Sequence, residues 1–228
     1  MALELYSHPL ASFCHKVLIA LYEAGTPFTA VMVDFADPGS AAQVIDLWPV
    51  GKIPILRDTG NGRVVPETSV IIEYLDEHHP GALRMLPADP DARLEARLWD
   101  RFFDLYVQVP MQTIVVDRLR PEGSRDPFGV AQARAGLRTA YGMIETRMAG
   151  REWAAGESFG VADCAAAPAL FYAGIVEPFP PEHAALAAYF ERLMARPSVA
   201  RTIAEARPFF GFFPYREAMP ARFLGEGG

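Results

Sequence analysis

Leu3-Glu4-Leu5-Tyr6-Ser7-His8-Pro9-Leu10-Ala11-Ser12-Phe13-Cys14-His15-Lys16-Val17 is the stretch that decides how the rest of the chain is read. An apolar-rich run of strand length leads into a turn marked by His8 and Pro9. Val17, Leu18, Leu21 and Tyr22 then recur at helical spacing as far as Gly25. A strand, a turn and a helix in that order bring the turn's side chains to a helix N-terminus. Free backbone N–H groups and the helix dipole favour an anion there. Ser12 adds one hydroxyl donor, and the anion expected beside it is a thiolate.

Outward from this unit, Gly25 and Pro27 stop the helix, and Phe28 to Val33 reads as a second strand. Asp34 to Ser40 reads as a loop and Ala41 to Leu47 as a short helix. Ile53 to Arg57 has strand character with Pro54 inside it. Proline cannot donate to a sheet ladder, so the segment is an edge, a bulge or a cis bend. A cis bond would turn the backbone of Ile53 outward, where an extended peptide-like ligand can pair with it. An edge strand with an uninvolved proline is the alternative. Thr59-Gly60-Asn61-Gly62 forms a hairpin turn before Val64 and Val65. Pro66-Glu67-Thr68-Ser69 then opens a helix with Ile71, Tyr74, Leu75 and His78 on one face, capped by Thr68 or Ser69. Its first N–H groups can hold a carboxylate while Glu67 pairs with an ammonium, which together match the head group of an amino acid. A plain helix cap is the competing reading. The order of elements gives a parallel pair plus an antiparallel hairpin, a thioredoxin-like βαβ-ββα layer.

The chain has 228 residues, enough for a sizeable core in one large or two modest domains. With 51% hydrophobic and 21% charged residues, its composition is that of a globular protein. A net charge of -7 without any basic block argues against a nucleic-acid partner, although a local basic pocket for a small anion remains compatible. The two cysteines, Cys14 and Cys164, form neither a disulfide framework nor a metal-ligand spacing. No signal peptide and no membrane partner are expected, and the expected location is cytoplasmic.

Gly81 to Asp91 is rich in proline and aspartate, so a linker at 81–91 divides residues 1–80 from 92–228. Beyond it the patterns are helical only. Ala92 to Leu119 reads as one long helix, with Leu94, Leu98, Phe102, Leu105 and Val109 on one stripe and a kink at Pro110. Pro121 to Gly129 reads as a loop and Val130 to Ala149 as a helix. Val161 to Ala173, apolar nearly all round, reads as a central buried helix opened by a structural Asp163. Helices at Ala184 to Ala195 and Ser198 to Ala206 precede an aromatic tail, Pro208 to Tyr215, which either packs on the helical core or roofs a cleft.

Four motifs in order, Ser12 in the first turn, Lys52-Ile53-Pro54, Glu67-Thr68-Ser69 and Phe159-Gly160-Val161-Ala162-Asp163, make the chain resemble a cytosolic-type glutathione transferase, serine-type and zeta- or theta-like, over nearly all its length. The resemblance implies an α/β thioredoxin-like N-terminal domain, an all-α C-terminal bundle and a homodimer, with glutathione as co-substrate and no metal. It implies that Ile53, ahead of a cis Pro54, pairs with the cysteinyl unit of glutathione. Glu67 would meet the γ-glutamyl amine, Thr68 the carboxylate with Ser69 beside it, and Lys52 the glycyl end. Ser12 would donate to the sulfur, with Tyr6 and Cys14 as rivals. Phe13, Tyr106, Pro110, Met111 and Phe210 would line the pocket for a small apolar electrophile.

Two departures from the family pattern stand out. Ala11 occupies the position of the catalytic serine in many members, and Gly160 replaces the usual Ser or Thr cap. A tandem-serine pattern would make Ser12 the survivor of a pair and points to a zeta-like isomerase of the maleylacetoacetate type. Ala11 also motivates a non-catalytic glutathione-binding module. Lowering a cysteine thiol from about 8.5 to about 6.5 takes about 2.7 kcal/mol. One hydroxyl hydrogen bond to a charged sulfur supplies about 1.5–3 kcal/mol.

Overall fold

β1 (Leu3–Ser7) lies between two partners in a four-stranded sheet ordered β2–β1–β3–β4, with β2 at Thr29–Met32, β3 at Ile55–Asp58 and β4 at Arg63–Pro66. The computed structural model describes residues 3–225; the outer ends of the two expected domains, 1–2 and 226–228, lie outside the described residues. β1 and β2 run parallel, with Leu5 opposite Ala30, because α1 (Ser12–Ala24) carries the chain back between them. β3 runs antiparallel to β1, with Leu5 opposite Leu56, and the turn at 59–62 returns β4 beside it. Gly62 closes that turn at φ 73°, a backbone state that costs glycine nothing.

Alternation along β1 assigns its side chains to two layers. Leu3 and Leu5 pack with Val17, Leu18 and Leu21 of α1 and with Ile71 and Leu75 of α3 (Thr68–His78). Tyr6 faces the other way, into a smaller cluster with Val33, Val44 and Ile55, where α2 (Pro38–Leu47) covers the sheet. α2 begins earlier than the expected Ala41. Asp37 caps it by accepting from the N–H groups of Gly39 (3.2 Å) and Ser40 (3.1 Å), and Pro38 sits in the first turn, where no N–H is needed. Asp126 and Pro127 extend α6 (Pro127–Met148) in the same way, shortening the expected loop that ended at Gly129.

The expected single helix from Ala92 to Leu119 is three segments: α4 (Pro90–Phe102), a π-helical segment (Phe103–Gln108) and α5 (Val109–Leu119). Pro110 has no N–H to offer the carbonyl of Tyr106, and its ring crowds that carbonyl. The helix relaxes upstream into wider turns, where the Val109 N–H reaches back to the Asp104 carbonyl. The leucines of the stripe face outward in α4. Leu94 and Leu98 are 67% and 64% exposed, and the buried side of α4 carries Ala96, Asp100 and Phe102.

α7 (Val161–Val176) runs through the middle of the helical domain and is buried at every position except Gly174. Asp163 accepts from the N–H groups of Ala154 (2.9 Å) and Gly160 (2.9 Å) and from the hydroxyl of Tyr189 (2.5 Å) on α8 (Ala184–Ala195). α9 (Pro197–Ala206) follows, and the tail packs on the core: Phe210 stacks on Phe171, and Phe213 lies against Tyr172. Glu23 at the end of α1 holds the helical domain by pairing with Arg196 (2.7 and 2.6 Å) and Ser198 (2.5 Å).

Candidate functional site

Two helix N-termini and one bend converge on a cleft of about 190 Å³ between the sheet domain and the helical domain. The bend supplies Lys52, Ile53 and Pro54, and the Ile53–Pro54 bond is cis. Ile53 precedes β3, so its N–H and C=O lie outside the ladder that begins at Ile55. Pro54 is buried, while Lys52 is exposed at the rim. Trp48 also lines the cleft, and its indole N–H is buried without a hydrogen-bond partner among the described residues. A donor kept from water in that way is costly unless a ligand answers it.

α3 points its N-terminus at the same cleft. Glu67, not Thr68 or Ser69, occupies the cap position, at φ 69° and with no capping hydrogen bond from its side chain. That left-handed backbone is uncommon for a residue with a Cβ. It leaves the Glu67 carboxylate exposed and opens the first N–H groups of α3 toward the cleft, which Glu67 and Thr68 both line. The Ser69 hydroxyl faces inward, donating to Asp100 (2.5 Å) and accepting from Lys16 Nζ (3.0 Å).

The wall contributed by the helical domain is Arg101, Asp104, Leu105, Val109 and Gln112. Asp104 Oδ2 lies 2.8 Å from Lys16 Nζ and 3.1 Å from Arg101 Nη1, and Asp100 Oδ1 lies 2.6 Å from Lys16 Nζ. Lys16 is 1% exposed, so this is a buried ion cluster joining α1, α3, α4 and the π-helical segment. Burial holds the Asp104 carboxyl above its usual range, against the pull of Lys16 and with a further push from Asp100. None of Lys16, Asp100 and Asp104 is singled out by the sequence reading. The available signal is a pair of aspartates four apart among Trp99, Phe102 and Phe103, a polar pair on an aromatic surface.

Ser12 is the first residue of α1, with Ala11 at the cap position. It is 5% exposed and lies outside the lining, while its neighbour Phe13 is part of it. The Ser12 hydroxyl oxygen accepts a hydrogen bond from Gln108 Nε2 of the π-helical segment. Neither rival has a comparable position. Tyr6 is buried beneath α2, and Cys14 is fully buried with its thiol pushed up to about 12 by desolvation. His15 is buried, with Nε2 2.5 Å from the Pro9 carbonyl oxygen. Desolvation lowers it to about 4, so it stays neutral.

The structure distributes the residues expected to line an electrophile pocket over three places. Phe13 lines the cleft. Tyr106 is exposed and, with Pro110, lies outside the lining; Met111 and Phe210 are in the core of the helical domain. Leu105 and Val109, one residue before Tyr106 and Pro110, face the cleft from the π-helical segment and the start of α5.

Residues 11–78 match the family described as glutathione S-transferase, N-terminal domain, and residues 104–197 match glutathione S-transferase, C-terminal domain. A "Glutathione S-transferase" of Pseudomonas putida is 30% identical over 161 residues, covering 71% of this chain and 70% of that one. "FtsZ-localized protein A" of Caulobacter vibrioides is 30% identical over 212 residues, covering 90% of this chain and 92% of that one. The crystal structure of a glutathione S-transferase from Methylobacillus flagellatus with glutathione bound superimposes with a TM-score of 0.81 at 27% identity, covering 88% of this chain and 98% of that one. Matches to both halves of one family, with a similarity running through nearly the whole chain, mean that this chain belongs to the glutathione S-transferase family.

Proposed function

We propose that the chain binds glutathione in the cleft and transfers it, as the thiolate, to small apolar electrophiles. The observation that carries this reading is the meeting of the free Ile53 backbone, the α3 N-terminus and the α1 N-terminus around one cleft. The γ-glutamyl carboxylate rests on the first N–H groups of α3 and Thr68, with its ammonium between Glu67 and Asp104. The cysteinyl unit pairs with Ile53, and Lys52 with the Trp48 indole N–H takes the glycyl carboxylate. The sulfur then faces the start of α1, where the Ser12 hydroxyl donates a hydrogen bond to the thiolate and the helix dipole adds up to about 1 kcal/mol. Phe13, Leu105 and Val109 supply the apolar wall for the second substrate. The family's domain division, with its linker at 81–91, and a cytoplasmic location belong to the same proposal.

Ser12→Ala removes one hydrogen bond to a charged sulfur, worth about 1.5–3 kcal/mol. The thiol pKa of bound glutathione, followed by thiolate absorbance, is expected to rise by about one to two pH units, with kcat/KM toward an aryl halide falling about 10- to 100-fold near pH 6.5. An unchanged pKa and rate would remove Ser12 from the mechanism. A second reading, a glutathione-binding module without chemistry, is favoured by Ala11 at the cap position. Calorimetric binding of glutathione with an ordinary thiol pKa would select it.

The proposal includes a homodimer. Val70 of α3 and Leu94 and Leu98 of α4 are exposed beside the Arg97–Glu73 pair (2.8 and 2.7 Å) that joins those helices, forming an apolar face around one ion pair. Leu98→Arg places an uncompensated charge in that face and is expected to weaken association at least about a hundredfold, about 2.7 kcal/mol. Sedimentation velocity at micromolar concentration should then show a species near 25.1 kDa, where the wild type shows twice that mass.

A further inference from the structure

We infer that Gln108 is a positioning residue for the thiolate: it occupies the acceptor side of the Ser12 hydroxyl so that the hydroxyl proton is left for the sulfur. This rests on the reading of Ser12 just given. A serine hydroxyl has one proton and two lone pairs. If a neighbouring carbonyl takes that proton, nothing remains for a thiolate. In this chain the group against Ser12 Oγ is a donor, the Nε2 amide of Gln108. Polarising the hydroxyl from one side strengthens the hydrogen bond it gives on the other.

The placement of Gln108 is specific. The side chain is 2% exposed and comes from the last residue of the π-helical segment, so the helical domain reaches the first turn of the sheet domain here. Its Oε1 is buried with no hydrogen-bond partner among the described residues, so the contact to Ser12 is the one that fixes the amide. The charged groups of the adjoining cluster are Lys16 on α1, Asp100 on α4, and Arg101 and Asp104 beside the cleft. They are the same in every variant below, so a change in the thiol is not theirs.

Gln108→Met fills the space without an amide, and Gln108→Asn keeps the amide but shortens its reach. Each is expected to raise the thiol pKa of bound glutathione, leaving about three- to tenfold less thiolate at pH 6.5. Glutathione affinity by calorimetry should stay within about twofold, and the lost kcat should return as pH is raised. A folded Gln108→Met or Gln108→Asn protein with a wild-type thiol pKa overturns the inference, even if its melting temperature falls. Ser12→Ala, measured in parallel, separates the two levels. If Ser12→Ala raises the pKa and the Gln108 variants do not, only the role of Gln108 fails. If Ser12→Ala leaves it unchanged, the reading of Ser12 falls and the inference falls with it.

Discussion

Replacing Lys16 with methionine is expected to cost about 3–5 kcal/mol of stability at pH 7.5, because two buried carboxylates lose the cation between them. Methionine approximates the length of the lysine stem, so the loss is electrostatic rather than a cavity. Asp100 and Asp104 lie 2.6 and 2.8 Å from Lys16 Nζ, and the Arg101 guanidinium reaches only Asp104. For a chain of this length the melting temperature should fall by about 6–20 °C. The pH dependence identifies the cause. Asp104 is already held above its ordinary carboxylate range by burial, and losing Lys16 raises it further. A carboxyl raised in the folded state contributes stability below its unfolded pKa and loses that contribution as pH rises through the folded value. The variant therefore recovers as pH falls, and the gap to wild type should narrow between pH 7.5 and 5 in urea melts. An equal loss at both pH values would mean that packing, not charge, is what Lys16 supplies.

Asp163→Ala should be as damaging, with the opposite pH trend. Its carboxylate is the shared acceptor for two backbone N–H groups and the Tyr189 hydroxyl, and truncation leaves all three buried donors unanswered. A loss of about 3–5 kcal/mol is expected, less than the sum of three bonds because such effects overlap. Burial pushes Asp163 up to about 6, with the hydrogen bonds from Ala154, Tyr189 and Gly160 opposing it. By the same sign rule its contribution is greatest below the unfolded carboxylate value and declines as pH rises through about 6. The cost of Asp163→Ala should therefore widen as pH falls from 7.5 toward 4. Calorimetric melts of both variants across that range would show the two gaps moving in opposite directions; parallel movement would contradict the charge assignments.

The strands, the parallel pair, the hairpin and most of the helices were legible in the sequence because glycine and proline punctuate a clean change from strand to helix period, whereas the pairing of β1 with β3 was not, since no local pattern specifies it. The proline inside the third strand left an edge, a bulge and a cis bend open, and the family resemblance, not the local residues, pointed to the cis bond that Ile53–Pro54 adopts. The face of α4 was not legible. Leu94 and Leu98, four apart, announce a stripe but not its direction, and the aromatic-flanked aspartates of the other face went inward with Lys16. That choice depends on a partner on α1, more than eighty residues away, which no local window contains. The π-helical turns before Pro110 were not legible either, because the proline widens the turns ahead of it rather than bending the chain at its own position. Glu67 was assigned its role by type, but its left-handed backbone replaced the Ser or Thr cap that ordinary helix starts favour.

Helix α1 presents Val17, Leu18 and Leu21 to the sheet and Ile19 and Ala20 to the core around α7, and Glu23 fastens its far end to Arg196. The two halves thus share a structural member, so neither can loosen without uncovering the other. A small molecule wedged between them stabilises the whole chain by RT times the logarithm of one plus its free concentration over Kd, which makes heat resistance a readout of binding for any compound, reactive or inert.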